Sequence, residues 1–156
     1  MSADLTQAEH DALAECIRRA FEMRDQPGKA EIAAAILKDG VTLARGENEV
    51  YLDHDPTRHA EIVAMGRATA ALGVPDLSGC TLVSSLQPCE MCLAAMRFAG
   101  IRRVIFAATQ EKVASKYFFF PGLRIGDHAA ADKEGFDWIG GVMEDEVLPL
   151  YADGEA

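Results

Sequence analysis

Two short segments limit the architecture of this chain more than anything else in it: His59-Ala60-Glu61 and Pro88-Cys89-Glu90-Met91-Cys92. Both stand where the sequence predicts a helix to begin. A Cys-x-x-Cys at a helix start turns both sulfurs toward one point. The unpaired backbone N–H groups and partial positive charge of that helix end favour thiolates over thiols. His59 opens a different helix and can supply a nitrogen from the opposite side. Two thiolates and a neutral imidazole are a donor set suited to zinc. Three protein ligands leave the fourth tetrahedral position to water, whose pKa zinc lowers to about 7. Glu61, two residues after His59, is placed to carry that water's proton. The competing reading is a closed structural site, completed by Cys80, Cys16, His54 or His128, or a redox Cys-x-x-Cys. The acidic residue after the histidine and the proline before the first cysteine favour the open, catalytic form.

The pattern around these segments alternates. Thr6 and Glu9 form a capping-box pair opening a helix over Thr6 to Arg24, broken by Gln26-Pro27-Gly28. Strands are predicted at Glu31 to Leu37 and Val41 to Arg45, joined tightly through Lys38-Asp39-Gly40, with a loop from Glu47 to Thr57. A helix over Arg58 to Leu72 is stopped by Gly73 and Pro75. A buried strand at Cys80 to Leu86 leads through Gln87-Pro88 into a helix at Cys89 to Ala99, stopped by Gly100. A fourth strand follows at Arg103 to Ala108. Beyond it, helical stretches are expected near Gln110 to Lys116 and Asp127 to Glu134, and a fifth strand at Gly141 to Glu144. A hairpin followed by alternating strands and helices predicts an α/β fold: a three-layer α-β-α sandwich on a mixed central sheet of about five strands. Residues 1–156 are read as one domain.

Composition restricts the partners. The formal net charge is −10, which opposes tight binding to a polyanion, because such binding rests on Lys and Arg neutralising phosphates. Arg97, Arg102 and Arg103, with Arg67 elsewhere, are the main basic cluster and read as a solvated face. No run approaches the ~20 apolar residues that cross a bilayer. Met1 to Gln7 lacks the basic and apolar blocks of a signal peptide. The expectation is a cytoplasmic protein without membrane contact. Cys16 and Cys80 read as small buried hydrophobes.

With these residues in view, the chain resembles the cytidine/deoxycytidylate deaminase superfamily, whose signature is His-x-Glu with Pro-Cys-x-x-Cys. The resemblance runs from about Lys38 to Ala108. It is nearest to the branch containing guanine, yeast-type cytosine and tRNA adenosine deaminases. Asp55-Pro56-Thr57 precedes the histidine as in that branch, and Met91 fills the Met slot of Pro-Cys-x-Met-Cys. The resemblance implies a cytidine deaminase-like fold and a Zn2+ site of His59, Cys89 and Cys92. It implies a catalytic Glu61, substrate contacts from Asn48 and the backbone N–H of Ala60, and a homodimer. One departure stands out. Where the branch has Pro-Phe-Gly-Ala leading into its first strand, this chain has Glu31-Ile32-Ala33-Ala34.

The expected activity is hydrolytic deamination of a free nucleobase or related aminated heterocycle (guanine-, cytosine- or isocytosine-like) with release of ammonia. The alternatives are a tRNA adenosine deaminase and, from another class, a non-catalytic zinc-stabilised binding module. The run Phe118, Phe119, Phe120 and the single Trp138 read first as core or subunit packing and second as stacking surfaces for a planar substrate. Asp137 or Glu144 is a candidate partner for an exocyclic amine. Outside the resemblance, Asn48 and His54 read as turn and loop residues.

Overall fold

The computed structural model describes residues 4–152; the ends of the 1–156 span expected to form one domain, and the first three residues of the Met1 to Gln7 stretch, lie outside them. Helix α1, Gln7–Glu22, starts on a closed capping box. The Glu9 N–H donates to Thr6 Oγ1 at 3.1 Å and the Thr6 N–H donates to Glu9 Oε1 at 2.9 Å, which satisfies two otherwise unpaired helix donors. A 3₁₀ turn, Met23–Asp25, ends it. Strands β1, Ala33–Lys38, and β2, Val41–Glu47, are joined through Asp39 and Gly40, both with positive φ, the backbone form of the tightest hairpin turns. A one-turn helix α2, Val50–Asp53, interrupts the expected loop. Helix α3, Ala60–Leu72, ends on Gly73 at φ 75°, where glycine carries no steric cost. Then come β3, Thr81–Leu86; α4, Glu90–Phe98; and β4, Arg103–Ala108.

The sheet has five strands in the order β2-β1-β3-β4-β5, the last being Asp137–Ile139. β1 pairs antiparallel with both β2 and β3, while β3–β4 and β4–β5 are parallel. Helices cover both faces. Ala33, Ala35 and Leu37 of β1 and Val83 of β3 pack beneath Leu13, Ile17 and Ala20 of α1. The alternate positions Ala34, Ile36, Leu82, Val104 and Phe106 pack against Ala64 and Ala68 of α3 and Leu93 and Met96 of α4. Period-two alternation with both faces apolar is the signature of a strand buried between helical layers. The sandwich and its mixed sheet are those expected from the sequence.

The C-terminal region departs from expectation. The fifth strand, β5, is Asp137–Ile139, not Gly141 to Glu144. Gly141 and Met143 adopt left-handed conformations, with φ 79° and 55°, which an extended strand cannot contain. Glu144 instead opens a final helix, α6, Glu144–Tyr151, that buries Val147, Leu150 and Tyr151. Gln110 to Lys116 forms two 3₁₀ turns, Gln110–Lys112 and Ser115–Tyr117, rather than one helix, and the later helix is α5, Ile125–Ala131. Trp138 is not core: it lies 39 % exposed on the edge strand, tilted against Phe136. None of the described helices is long and apolar enough to cross a membrane.

Candidate active site

The two signature segments meet. His59 is the N-cap residue of α3 and Cys89 that of α4; Cys92 lies in the first turn of α4, fully buried. His59 Nδ1 stands 3.5 Å from Cys89 Sγ and 3.6 Å from Cys92 Sγ. Zinc with sulfur at about 2.3 Å and nitrogen at about 2.0–2.1 Å has tetrahedral N···S edges of about 3.5–3.6 Å. Both His59–sulfur edges therefore match those a zinc ion requires, and all three donor atoms lie within 4.8 Å of one another. Among the described residues they are the one cluster of three possible metal-ligating side chains. Cys16, Cys80, His54 and His128 are not part of it, which disfavours the closed four-ligand arrangement. Cys16 is buried and its thiol is pushed up to about 12 by desolvation, the behaviour of a packing residue.

Electrostatics prepare the donors. The Cys89 thiol is pulled down to about 4, first by the hydrogen bond from Cys92 and then by His59. Cys92, the donor in that bond and itself buried, is held above its ordinary value. The His59 imidazole is raised, chiefly by Cys89. Glu61 is buried at 4 % exposure. Burial, then the nearby Cys89 charge, raises its carboxyl to about 7.

A cavity of about 770 Å³ opens over His59, Glu61 and Cys89, within the size range of small-molecule sites. Asn48 lines it. The Asn48 Oδ1 accepts the Val50 N–H at 3.2 Å, and the Asn48 N–H donates to the Ile32 carbonyl at 3.2 Å. The turn role and the place on the cavity wall thus coincide. Ala60 is fully buried, its side chain packed in the core between α3 and the sheet. It does not line the cavity, so only its backbone N–H, in the first turn of α3, is available for a substrate. His54, in a left-handed conformation, caps α2. Phe118 is buried, while Phe119 and Phe120 are exposed at the rim, where the Glu90 carboxylate accepts both their N–H groups. Asp137 and Glu144 do not reach the cavity. Glu144 is occupied at the end of β4, accepting from the Thr109 N–H at 2.7 Å and hydroxyl at 2.6 Å.

Sequence reasoning missed two buried polar links that shape this site. The Gln110 N–H donates to Gln87 Oε1 at 2.9 Å, and the Gln87 N–H to the Ala108 carbonyl at 2.8 Å. These bonds tie the turn before Cys89 to the end of β4. Tyr151, the last residue of α6, donates its hydroxyl proton to the Glu31 carbonyl and shares a 2.8 Å hydrogen bond with Ser85. The Ala33 N–H donates to that same serine oxygen at 3.1 Å. Both links join residues far apart in the chain, so no local pattern announces them.

Three of the four arginines read as the basic cluster are ion-paired within the chain. Arg97 pairs with Asp132 and Glu134, Arg102 donates to the carbonyls of Glu134 and Gly135, Arg103 pairs with Glu9, and Arg67 with Glu49.

The model of the cytidine and deoxycytidylate deaminase zinc-binding region matches residues 6–108. Guanine deaminase of Bacillus subtilis is 41 % identical over 85 residues, an alignment covering 54 % of each chain. Its crystal structure superposes with a TM-score of 0.62 at 35 % identity, covering 67 % of this chain and 65 % of that one. By sequence, then, the chain spans about half the length of this curated relative. A guanine deaminase structure from Nitrosomonas europaea superposes with a TM-score of 0.71 at 26 % identity, covering 94 % and 83 %. A structure from work on A-to-I editing by tRNA:A34 deaminases gives 0.71 at 28 % identity, covering 90 % and 98 %.

Proposed function

We propose that this chain, which belongs to the cytidine and deoxycytidylate deaminase family, hydrolytically deaminates a free nucleobase or related aminated heterocycle. The observation that carries this reading is the His59–Cys89–Cys92 donor triangle, with Glu61 buried beside it on the floor of a cavity of about 770 Å³. His59, Cys89 and Cys92 would hold zinc, which would supply a polarised water at neutral pH.

The remaining steps fall to the chain's own residues. Asn48 and the Ala60 N–H orient the ring. Glu61 accepts a proton from the attacking water and delivers it to the ring nitrogen beside the amine-bearing carbon. Glu61 then takes the second proton from the hydroxyl newly formed on that carbon and passes it to the amine; the C–N bond breaks, the carbonyl forms and ammonia leaves. Proton transfer by one positioned carboxyl is worth ~10²–10⁴-fold. The apolar wall of Ile32, Val50 and Leu86 restricts water around these transfers.

Relatives in this family include both base and tRNA deaminases. The free base is favoured here because Arg67, Arg97 and Arg103 are already paired with carboxylates, and the net charge is −10. Phe98, 93 % exposed at the end of α4, and Phe119, 89 % exposed at the cavity rim, supply apolar surface for the expected second copy of the chain.

The test is ammonia release from the zinc-loaded protein across free bases, nucleosides, pterins and triazines, with unmodified tRNA assayed in parallel. Turnover of a free base above that of tRNA is expected. Inosine formation in tRNA at a higher rate than any base reaction would replace this reading with the tRNA one.

A further inference from the structure

Three carboxylates line the cavity among the described residues: Glu31, Glu61 and Glu90. Glu61 lies against the ligand cysteines, and Glu90 accepts the Phe119 and Phe120 N–H groups. The Glu31 carboxylate has neither a hydrogen bond nor an ion pair among the described residues. Yet the backbone carrying it is held on every side. The Glu31 carbonyl accepts the buried Tyr151 hydroxyl, the Ile32 N–H donates to Ala30 at 2.8 Å, and the Ile32 carbonyl accepts the Asn48 N–H at 3.2 Å. Glu31 and Asn48 therefore form one fixed wall of the cavity. Tyr117 lines the same cavity, and its hydroxyl is raised by burial and next by the Glu31 charge. An acceptor that is partly withdrawn from water, rigidly mounted and unpaired is a site awaiting a donor.

We propose that Glu31 is a specificity-determining residue. Its carboxylate accepts one or two N–H groups of the heterocycle other than the amine that is lost. The favoured substrates are then bases with a ring N–H or a second amino group on that edge, and bases blocked there are rejected. A site built to pair with a substrate N–H discriminates strongly, because the analogue lacking it leaves the acceptor stranded. This inference rests on the deaminase reading of the same cavity but can be tested apart from it.

The experiment uses zinc-loaded wild type, Glu31→Ala and Glu31→Gln. Binding by calorimetry and ammonia release are measured for guanine and cytosine and for forms methylated at one ring nitrogen at a time. For the wild type, blocking one particular ring N–H lowers affinity and kcat/KM by roughly ten- to a hundredfold, the scale of a hydrogen bond to a charged acceptor. Glu31→Ala abolishes that penalty and Glu31→Gln reduces it, with the change in KM rather than kcat. The discrimination ratio is the decisive readout, since a merely structural role for Glu31 would depress all ligands alike. An unchanged penalty in Glu31→Ala, with bases still turned over, overturns the role of Glu31 and leaves the deaminase reading intact. Glu31-dependent binding without turnover upholds Glu31 and overturns the deaminase reading. Failure of every heterocycle to bind the wild type overturns both.

Discussion

Replacing Gly46 with Ala should damage the site from a distance. Gly46 lies in β2 where α3 crosses it. A methyl carbon built there would come within 3.0 Å of the Ala60 carbonyl oxygen and the Ala64 nitrogen, and 3.0 Å from Ala64 Cα, against 3.4 Å for an ordinary contact. All three neighbours are backbone atoms, so no side chain can swing aside. Strand and helix must part by an amount of the order of 1 Å, and overpacking on that scale costs ~1–3 kcal/mol. Helix α3 carries His59 at its N-cap and Glu61 in its first turn, whereas Cys89 and Cys92 ride on α4. The displacement therefore changes the His59–sulfur distances that now match zinc, and a 1 Å misplacement of catalytic groups costs ~10²-fold in rate. Chemical denaturation, zinc content and ammonia release of Gly46→Ala measure all three effects. A variant within ~0.5 kcal/mol of wild-type stability, with full zinc and full activity, would refute the argument that this close approach positions the site.

Cys89→Ala should lose zinc and activity together, because a ligand is gone, while Cys80→Ala, outside the cluster, keeps both; elemental analysis beside the assay separates them. Glu47 is held down to about 2 by its Arg19 hydrogen bond and then by Lys29, from an ordinary 4.5. Because its folded value is depressed, its contribution is fully present above pH 4.5 and is lost as pH falls toward 2. After allowance for solvent screening, Glu47→Gln should cost ~1–2 kcal/mol near pH 6 and almost nothing near pH 2. A pH-independent difference in denaturation midpoints would contradict this.

The parts of the molecule legible from sequence are those where cause is local. Thr6 with Glu9, the Asp39-Gly40 turn and Gly73 punctuate the first two-thirds of the fold because caps and turns are decided within a few residues. His59-x-Glu61 and Cys89-x-x-Cys92 announce the site because helix N-termini fix where the next few side chains point. The last third resisted because its elements depend on distant partners. β5 is a three-residue edge strand held through pairing with β4, too short to show a period. α6 hides behind left-handed Met143 and carries Pro149 in its final turns, which reads locally as a helix breaker. Its reason for existing is Tyr151, whose hydroxyl reaches Glu31 and Ser85, far away in the chain. The cavity wall at Glu31 was visible only as a departure from a familiar pattern; its unpaired carboxylate is a property of the assembled fold.

The central claim is that Glu61 carries the proton at a zinc site built by other residues. Glu61→Gln keeps the size and shape of the side chain and removes the proton acceptor, while His59, Cys89 and Cys92 are untouched. Zinc content and ammonia release should be measured on the same preparations of wild type and variant. Near-unchanged zinc with activity reduced by at least ~10²-fold is expected. Near-normal turnover by zinc-loaded Glu61→Gln would contradict it.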